Sequence, residues 1–129
     1  MRLLLDTHVL LWAITNDSRL QGEARATVED GGNDVIFSVA SIWEIAIKAA
    51  LGRADFVRQP TAIAQAARDT GFVELPIHSS AAALVAGLPL HHRDPFDRLL
   101  VAQAMTESAR LYTADPQLPP YSELVTLIR

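Results

Sequence analysis

Residues 1–14 read MRLLLDTHVLLWAI, and this stretch contains two successive patterns. Residues 2–5 form a short, mainly apolar run, which predicts a buried strand that ends at Asp6. From residue 7 to residue 14, apolar side chains recur at the three- and four-residue spacing of a helix. The chain therefore begins with a strand, an acid at the carboxyl end of that strand and a helix, which is the first unit of an α/β fold.

The alternation of strand and helix patterns continues to the end of the chain. Short apolar or β-branched runs predict further strands at residues 34–37, 72–75, 110–113 and 124–128. Helical patterns cover residues 18–31, 39–51, 60–70, 78–87 and 94–108. Ser18 is the expected N-cap of the second helix, and glycines are expected to end several of the helices.

This order of elements predicts the class of the fold. Strands that alternate with helices indicate a mainly parallel, roughly five-stranded central sheet with helices on both faces. No linker, internal repeat or low-complexity tract interrupts the pattern. Residues 1–129 are therefore expected to form one α/β domain.

The composition is that of an ordinary globular protein, with 129 residues of which 50% are hydrophobic and 20% are charged. The sequence contains no cysteine, which excludes disulfides, thiolate metal sites and cysteine nucleophiles and fits a reducing cytosol. The apolar start is interrupted at Asp6, too early for a signal peptide, and no run reaches the roughly 18 apolar residues of a membrane span. We therefore expect a soluble, cytoplasmic protein.

The charge balance limits how the protein could bind a polyanion. Eleven Lys and Arg residues against fifteen Asp and Glu residues give a net charge of −4. This net charge argues against a protein that binds nucleic acid through a broad basic surface. A polyanionic substrate would need either a local basic patch or bound metal ions.

Four acids are expected at one edge of the predicted sheet. Asp6 directly follows the first strand, and Asp115 follows the strand at residues 110–113. Glu44 lies one or two turns into the helix after the second strand, and Asp97 lies in the first turn of a later helix. Ligands of open parallel sheets bind at the carboxyl ends of the strands, and the strand-to-helix junctions share that edge. The four carboxylates could therefore meet there.

Each of these acids can also be explained as a helix cap. Asp6 and Asp115 are natural N-caps, and Pro116 would be the first helical residue after Asp115. Asp94 would cap the helix in which Asp97 occupies the third position, a pattern close to a capping box. Taken one at a time, capping explains these acids at least as well as a functional role does.

Glu44 has a similar ambiguity. It lies three residues after Ser41, which fits a capping box, and four residues before Lys48, which fits an ion pair on a helix surface. Neither explanation requires a functional site.

Two features favour a functional cluster over separate caps. Asp97 lies on the helical stripe that also contains Leu100, Val101 and Ala104, so its carboxylate is expected to point inward. A buried charge is costly unless it is paired or bound to a metal ion. Capping also explains each acid separately, but not why all four should share one edge of the sheet.

The residue types suit one kind of chemistry. Carboxylate and water oxygens are the ligands that Mg²⁺ prefers, and one or two such ions can activate water for phosphodiester hydrolysis. The four histidines of the sequence lack metal-ligand spacing, and neither an H-E-x-x-H motif nor a P-loop occurs. The sequence therefore favours carboxylate-bound metal as the reactive centre.

Four segments in order carry a resemblance to a known family. They are LLLDTHVLLW at 3–12, SIWEIAIK at 41–48, RDPFDRLLVAQA at 93–104 and TAD at 113–115. Together they resemble the PIN-domain family and, within it, the VapC-type toxins of type II toxin–antitoxin systems. The resemblance implies a three-layer α/β/α sandwich, RNA cleavage that depends on Mg²⁺ or Mn²⁺, a homodimer and a small antitoxin partner.

The resemblance also implies roles for individual residues. The four acids of the family match Asp6, Glu44, Asp97 and Asp115 as catalytic residues, with Asp6, Asp97 and Asp115 at the metal. Thr113 matches a supporting hydroxyl residue near the last acid.

Asp94 and several basic residues remain ambiguous at this level. Asp94 is either a helix cap or a supporting residue at the metal. Arg93, Arg98 and His92 flank the acids and are candidates for RNA contacts, which would reconcile RNA binding with the net charge. Solvated loop and helix charges are the alternative.

Other candidates for nucleic-acid contacts lie further from the acids in sequence. Lys48, Arg53 and Arg58 could form a basic rim, with ordinary surface charge as the alternative. Trp12 and Trp43 could stack on bases. With only 6% aromatic residues, packing in the core or in a dimer interface explains the two tryptophans more simply.

Three functions remain open from the sequence. A metal-dependent ribonuclease toxin is favoured by the four segments, and the small size without an extra domain favours it over a nuclease of RNA processing or DNA cleavage. A non-catalytic Mg²⁺-binding regulatory or partner-binding module is the third. A receiver-like regulatory domain typically pairs two adjacent N-terminal acids with a later lysine, whereas only Asp6 closes the first strand here.

Overall fold

The centre of the protein is a five-stranded parallel sheet. The computed structural model describes residues 1–53, 56 and 58–128. The strands are β1 (Arg2–Leu5), β2 (Asp34–Ser38), β3 (Val73–Leu75), β4 (Arg110–Thr113) and β5 (Val125–Leu127). Their order in the sheet is β3-β2-β1-β4-β5, and all four neighbouring pairs are parallel. The predicted sheet is therefore confirmed, while Arg129, the last residue of the predicted domain, lies outside the described residues.

Helices connect the strands and cover the sheet. The α-helices are α1 (Thr7–Thr15), α2 (Gly22–Glu29), α3 (Val39–Ala50), α4 (Pro60–Asp69), α5 (Ser79–Leu84) and α6 (Pro95–Glu107). Short 3₁₀ helices follow at Val85–Gly87 and Pro119–Tyr121. Within the described part of the chain, no helix combines the length and the apolar character needed to cross a membrane.

Alternate residues of β1 divide the interior into two apolar clusters. Leu3 and Leu5 pack in the cluster that contains residues of α1 and α4, whereas Leu4 packs in the cluster that contains residues of α6. Successive side chains of a strand point to opposite faces of a sheet, so the two clusters lie on its two sides. All three leucines are fully buried, as expected for a central strand covered on both faces. The predicted three-layer α/β/α sandwich is confirmed.

The start of the second helix differs from the prediction. The expected N-cap, Ser18, lies in a turn, and the N-cap of α2 is Gln21. The backbone N–H of Leu20 donates to the carbonyl of Asp17, and the Arg25 guanidinium donates to the carbonyls of both residues, at 2.7 Å to Asp17 and 2.6 Å to Leu20. These bonds hold the turn and occupy the Leu20 carbonyl, which a helix capped by Ser18 would have used, so the helix begins later.

The other predicted helices are present, with one subdivision. Gly52 and Gly71 have φ values of +73° and +97° and follow the ends of α3 and α4. The prediction that glycines end these helices is confirmed. The helix predicted at residues 78–87 is divided into α5 and a 3₁₀ turn.

A buried polar network joins β2 to α6. The Ser38 hydroxyl at the end of β2 donates to Gln103 Oε1 at 2.5 Å, and Gln103 Nε2 donates to the carbonyl of Pro76 at 3.2 Å. Both side chains are fully buried or nearly so. Because buried polar groups are costly when unpaired, this network fixes α6 against the carboxyl ends of β2 and β3.

We expect Gln103→Leu to lower the free energy of unfolding by about 2 kcal/mol, because it leaves the Ser38 hydroxyl and the Pro76 carbonyl without their partner. Urea denaturation followed by circular dichroism measures this change. Gln65→Leu on the exposed face of α4 is the matched control and should change stability by less than about 0.5 kcal/mol. Equal effects of the two substitutions would show that the network does not stabilise the fold.

Candidate functional site

Among the described residues, five carboxylates line one cleft at the carboxyl edge of the sheet. The cleft has a volume of about 480 Å³, and its acidic residues are Asp6, Glu44, Asp94, Asp97 and Asp115. They come from the ends of β1 and β4, from α3 and from the start of α6. The structure thus brings together the four acids singled out in the sequence and adds Asp94 to them.

Asp6 is both a helix cap and a buried acid. Its Oδ1 accepts a hydrogen bond from the backbone N–H of Val9 at 2.9 Å, and its Oδ2 accepts one from Thr113 Oγ1 at 2.5 Å. Only 5% of the residue is exposed. Burial and the nearby charge of Glu44 raise the pKa of Asp6 to about 6, although these two hydrogen bonds oppose the shift. Capping therefore does not account for its full environment.

Thr113 connects two of the acids. Besides donating to Asp6, its hydroxyl oxygen accepts a hydrogen bond from the backbone N–H of Asp115 at 3.0 Å. Asp115 Oδ1 in turn accepts from the N–H of Gln117 at 2.8 Å. The α-helix that the cap pattern at Asp115 suggested does not form, because residues 116–118 make a turn that leads into a 3₁₀ helix.

The capping-box explanation of Glu44 is wrong. The N-cap of α3 is Ser38, whose hydroxyl accepts from the N–H of Ala40, so Ser41 and Glu44 both lie inside the helix. Only 2% of Glu44 is exposed. Its Oε1 accepts from Thr7 Oγ1 at 2.6 Å, which is incompatible with a solvated surface charge.

Lys48 supplies the nearest positive charge to Glu44. Its Nζ donates to Glu44 Oε2, as the four-residue spacing suggested, and both side chains are largely withdrawn from solvent. Thr7 lies on the other side of the carboxylate, and its hydroxyl is also 3.0 Å from that of Ser41. The Glu44 carboxylate is therefore held in one orientation from two sides.

The first turn of α6 contains two acids with different roles. Asp94 is the N-cap, and its Oδ1 accepts from the N–H groups of Phe96 and Asp97 at 2.8 and 3.1 Å. Asp97 does not reach back to complete a capping box, because its Oδ2 contacts His92 Nε2 at 3.0 Å. Burial and the charges of Asp94, Asp6 and Glu44 raise the pKa of Asp97 to about 7.

His92 is the residue whose place in the site the sequence reasoning missed. Its Nε2 lies 3.0 Å from Asp97 Oδ2 and 3.3 Å from Asp115 Oδ2. The histidines lack metal-ligand spacing along the sequence, as stated, but the fold brings His92 close to two of the acids. The sequence feature that could have indicated this contact is the position of His92 in the loop before α6, five residues before Asp97.

The predicted basic contacts separate into two groups. Arg93 is exposed beside the cleft, whereas the Arg98 guanidinium donates to the carbonyls of Val85 and Leu88 at 3.0 and 3.3 Å. Arg98 therefore holds the loop before α6, which does not support its predicted contact with RNA. Arg53 and Arg58 are exposed, and neither of them lines the cleft.

The two tryptophans also differ. Trp12 lines the cleft, packs partly against the core and lies under the Arg19 guanidinium, 5.0 Å from its ring centre. Trp43 is 55% exposed and meets Phe96 edge to face. Core packing therefore does not explain Trp43.

The donor set fits a divalent cation. Burial, and to a smaller extent the neighbouring carboxylates, raise the pKa values of Asp6 and Asp97, and a bound cation would offset both effects. One ligand atom from each of His92, Asp94 and Asp97 lies within 4.8 Å of the others. The predicted metal ligands Asp6, Asp97 and Asp115 line the same cleft, but this compact group contains His92 and Asp94 instead of Asp6 and Asp115.

Comparisons with known proteins identify a family and similar solved structures. A family model described as the PIN domain matches residues 3–124. The chain is also similar in structure to a chain of VapBC2 from Rickettsia felis, crystallised with a DNA fragment from their promoter. That match has a TM-score of 0.71 and 13% identity and covers 99% of this chain and 98% of the other, so it shows the fold alone. No curated protein sequence matches the chain.

We expect the metal-free protein to become more stable as the pH falls from 8 to 5. The pKa values of Asp6 and Asp97, about 6 and 7, lie above their ordinary value of 3.8, so the folded state takes up protons before the unfolded state does. The free energy of unfolding, measured with urea in EDTA, should rise by at least about 1 kcal/mol. The lowered pKa of Asp17, about 2, acts only below this range.

The Asp97→Asn variant is the control for this pH dependence, because it removes the group with the higher pKa. Its stability should change less between pH 8 and pH 5 than that of the wild type. A wild-type stability that stays constant or falls over this range would contradict the raised pKa values of Asp6 and Asp97 in the folded protein.

We expect Asp6→Asn to leave the metal-free protein equally or more thermostable. The amide oxygen can still accept from Val9, and the amide group can donate to Thr113, while the repulsion from Glu44 disappears. The increase in Tm on adding Mg²⁺ should also shrink, because binding to the native state is what stabilises it.

Asp34→Asn is the matched control for Asp6→Asn, since Asp34 is exposed at the amino end of β2, away from the cleft. It should change neither the metal-free Tm nor the increase on adding Mg²⁺. If Asp6→Asn instead unfolds several degrees lower without metal, Asp6 is chiefly a helix cap.

Proposed function

The chain belongs to the PIN-domain family, and from that premise we propose that it is a metal-dependent endoribonuclease, the toxin of a type II toxin–antitoxin system. The observation that carries the proposal is the cleft in which Asp6, Glu44, Asp97 and Asp115 converge, and in which burial and neighbouring carboxylates raise the pKa values of Asp6 and Asp97. A protein that used these acids only as caps would have no reason to bury them together, since their repulsion lowers stability.

The residues that would hold the metal ion are Asp6, Asp97 and Asp115, with Asp94 in support at the start of α6. The chemistry that a bound Mg²⁺, or Mn²⁺ in its place, supplies is activation of water and stabilisation of the leaving oxygen of a phosphodiester. Thr113 maintains the distance between two of these acids, because its hydroxyl bonds to the Asp6 carboxylate and to the backbone of Asp115.

Glu44 has the environment of a catalytic carboxylate held in a fixed position. Thr7 and Lys48 each bond to one of its oxygens, so the carboxylate does not rotate freely. A side chain fixed in this way can accept a proton from an attacking water with little loss of orientation, which is how positioned carboxylates contribute to hydrolysis. Glu44 is therefore the proposed proton acceptor.

RNA as the substrate is supported by local positive charge despite the net charge of −4. Arg93 is exposed next to the cleft, and Lys48 and Arg19 line it, where they form ion pairs with Glu44 and Asp17. His92 points its ring toward the acids rather than outward, so we assign RNA contacts to Arg93 before His92 and Arg98. Phosphate contacts of this kind position a strand without reading its bases.

The proposed protein partners are a second copy of the chain and a small antitoxin in the cytoplasm. An apolar stripe on α3 supports the homodimer, because Trp43, Ile47 and Leu51 are 55%, 38% and 70% exposed and recur every four residues. The antitoxin is supported by the resemblance of four sequence segments to VapC-type toxins and by a fold shared with a chain of VapBC2.

The experiment is cleavage of total cellular RNA by the purified protein with Mg²⁺, with EDTA, and by the variants Asp97→Asn and Asp34→Asn. Discrete fragments should appear only with metal, and Asp97→Asn should lower the rate at least about 100-fold, since it removes charge at the metal. Asp34→Asn should cut like the wild type.

Two results would contradict the proposal in different ways. Cleavage of DNA in preference to RNA would identify a related nuclease with another substrate. Absence of cleavage by folded, metal-loaded protein would favour a non-catalytic binding module, in which the acids bind metal without chemistry.

A further inference from the structure

His92 brings a nitrogen donor into the carboxylate cluster. Its Nε2 lies 3.0 Å from Asp97 Oδ2 and 3.3 Å from Asp115 Oδ2. Asp94 completes a group with His92 and Asp97 in which the nearest ligand atoms lie within 4.8 Å of one another. His92 and Asp97 therefore belong to both of these groups of three.

The other ring nitrogen of His92 is held by Gln117. Nδ1 lies 3.1 Å from Gln117 Oε1, and because an amide oxygen only accepts, Nδ1 carries the hydrogen. Metal-binding histidines generally donate their second ring N–H to an oxygen in this way, which fixes the ring and its tautomer. The arrangement leaves Nε2 as the nitrogen that faces the acids.

The loop that carries His92 is also held in place. The Tyr121 hydroxyl accepts from the backbone N–H groups of His91 and His92, at 3.1 and 2.9 Å. The His92 side chain is 17% exposed. The position of His92 is therefore fixed from two sides. Gln117, in the turn after β4, holds its ring, and Tyr121, in the 3₁₀ helix, holds its backbone.

The contacts between His92 and the acids have the spacing of metal ligands. His92 Nε2 faces one carboxylate oxygen of Asp97 at 3.0 Å and one of Asp115 at 3.3 Å. The spacing of about 3 Å is that of adjacent ligands in an octahedral site with bonds of roughly 2.1 Å. Nε2 and either carboxylate oxygen can therefore be neighbouring ligands of one metal ion.

We propose that His92 Nε2 is a ligand of the metal ion together with Asp97 and Asp115, which makes this centre selective for first-row divalent transition-metal ions over Mg²⁺. The proposal rests on the proposed function only in requiring that the cleft bind a divalent cation. Imidazole nitrogen is a poor ligand for Mg²⁺, which prefers oxygen, and it increases affinity for transition-metal ions.

The test uses metal-free wild-type protein and Mn²⁺ as the probe. Pulsed electron paramagnetic resonance of the Mn²⁺ complex should show coupling to an imidazole nitrogen, and calorimetry gives the dissociation constants for Mn²⁺ and Mg²⁺. In His92→Asn the nitrogen coupling should disappear, and the preference for Mn²⁺ over Mg²⁺ should fall about tenfold or more. The shorter amide can retain a contact with Gln117 but does not reach the position of Nε2.

His78→Asn is the matched control, since His78 is exposed and lies before α5, outside the cleft. It should keep both the nitrogen coupling and the metal preference. Because His8 also lines the cleft, the variant His8→Asn should keep the nitrogen coupling. Coupling retained in His8→Asn assigns the bound nitrogen to His92 even if His92→Asn folds poorly, and coupling lost in His8→Asn would overturn the inference.

The outcomes separate this inference from the proposed function. Bound Mn²⁺ without nitrogen coupling, in protein that cleaves RNA, would overturn the inference and show that His92 is only an ion-pair partner of the acids. Nitrogen coupling in protein that does not cleave RNA would support the inference and contradict the nuclease. Absence of any metal binding would overturn both.

Discussion

The parallel pairing of β1 with both of its neighbours is the constraint on which the rest of the structure depends. β1 pairs with β2 on one side and with β4 on the other, and the pairing continues past the strand, since the N–H of Asp6 donates to the carbonyl of Tyr112 at 3.0 Å. All five strands therefore end at the same edge of the sheet. Acids that follow different strands are placed close together there, although they are far apart in the sequence.

The carboxyl edge of the sheet also brings together buried carboxylates, and their burial lowers the stability of the fold. Asp6 and Glu44 are almost completely buried, and the pKa values of Asp6 and Asp97 are raised mainly because burial disfavours their charged forms. Hydroxyl groups of Thr7 and Thr113 donate to two of these carboxylates and offset part of the cost. Burial of these carboxylates therefore lowers the stability of the fold by more than their hydrogen bonds restore. Such a loss is typical of functional sites and not of helix caps.

Capping and function are combined in the same residues. Asp6 and Asp94 each use Oδ1 to cap a helix, and the second Asp6 oxygen accepts from Thr113. Helices α1 and α6 consequently begin at the site and point their amino termini toward it, where backbone N–H groups favour negative charge. The cap signals in the sequence were thus correct for these two residues without excluding a functional role.

The sequence by itself determined the order of elements, the parallel sheet, the two central caps and the acids to consider, because strand and helix periodicity and capping are local properties of the chain. It did not determine that α2 begins after a turn held by Arg25, that Glu44 is buried, or that Arg98 bonds to loop carbonyls. It also could not place His92 between Asp97 and Asp115, because those contacts depend on how loops from distant segments pack at the sheet edge. Only tertiary structure decides such contacts, since side chains with no fixed spacing in the sequence meet only once the strands have paired.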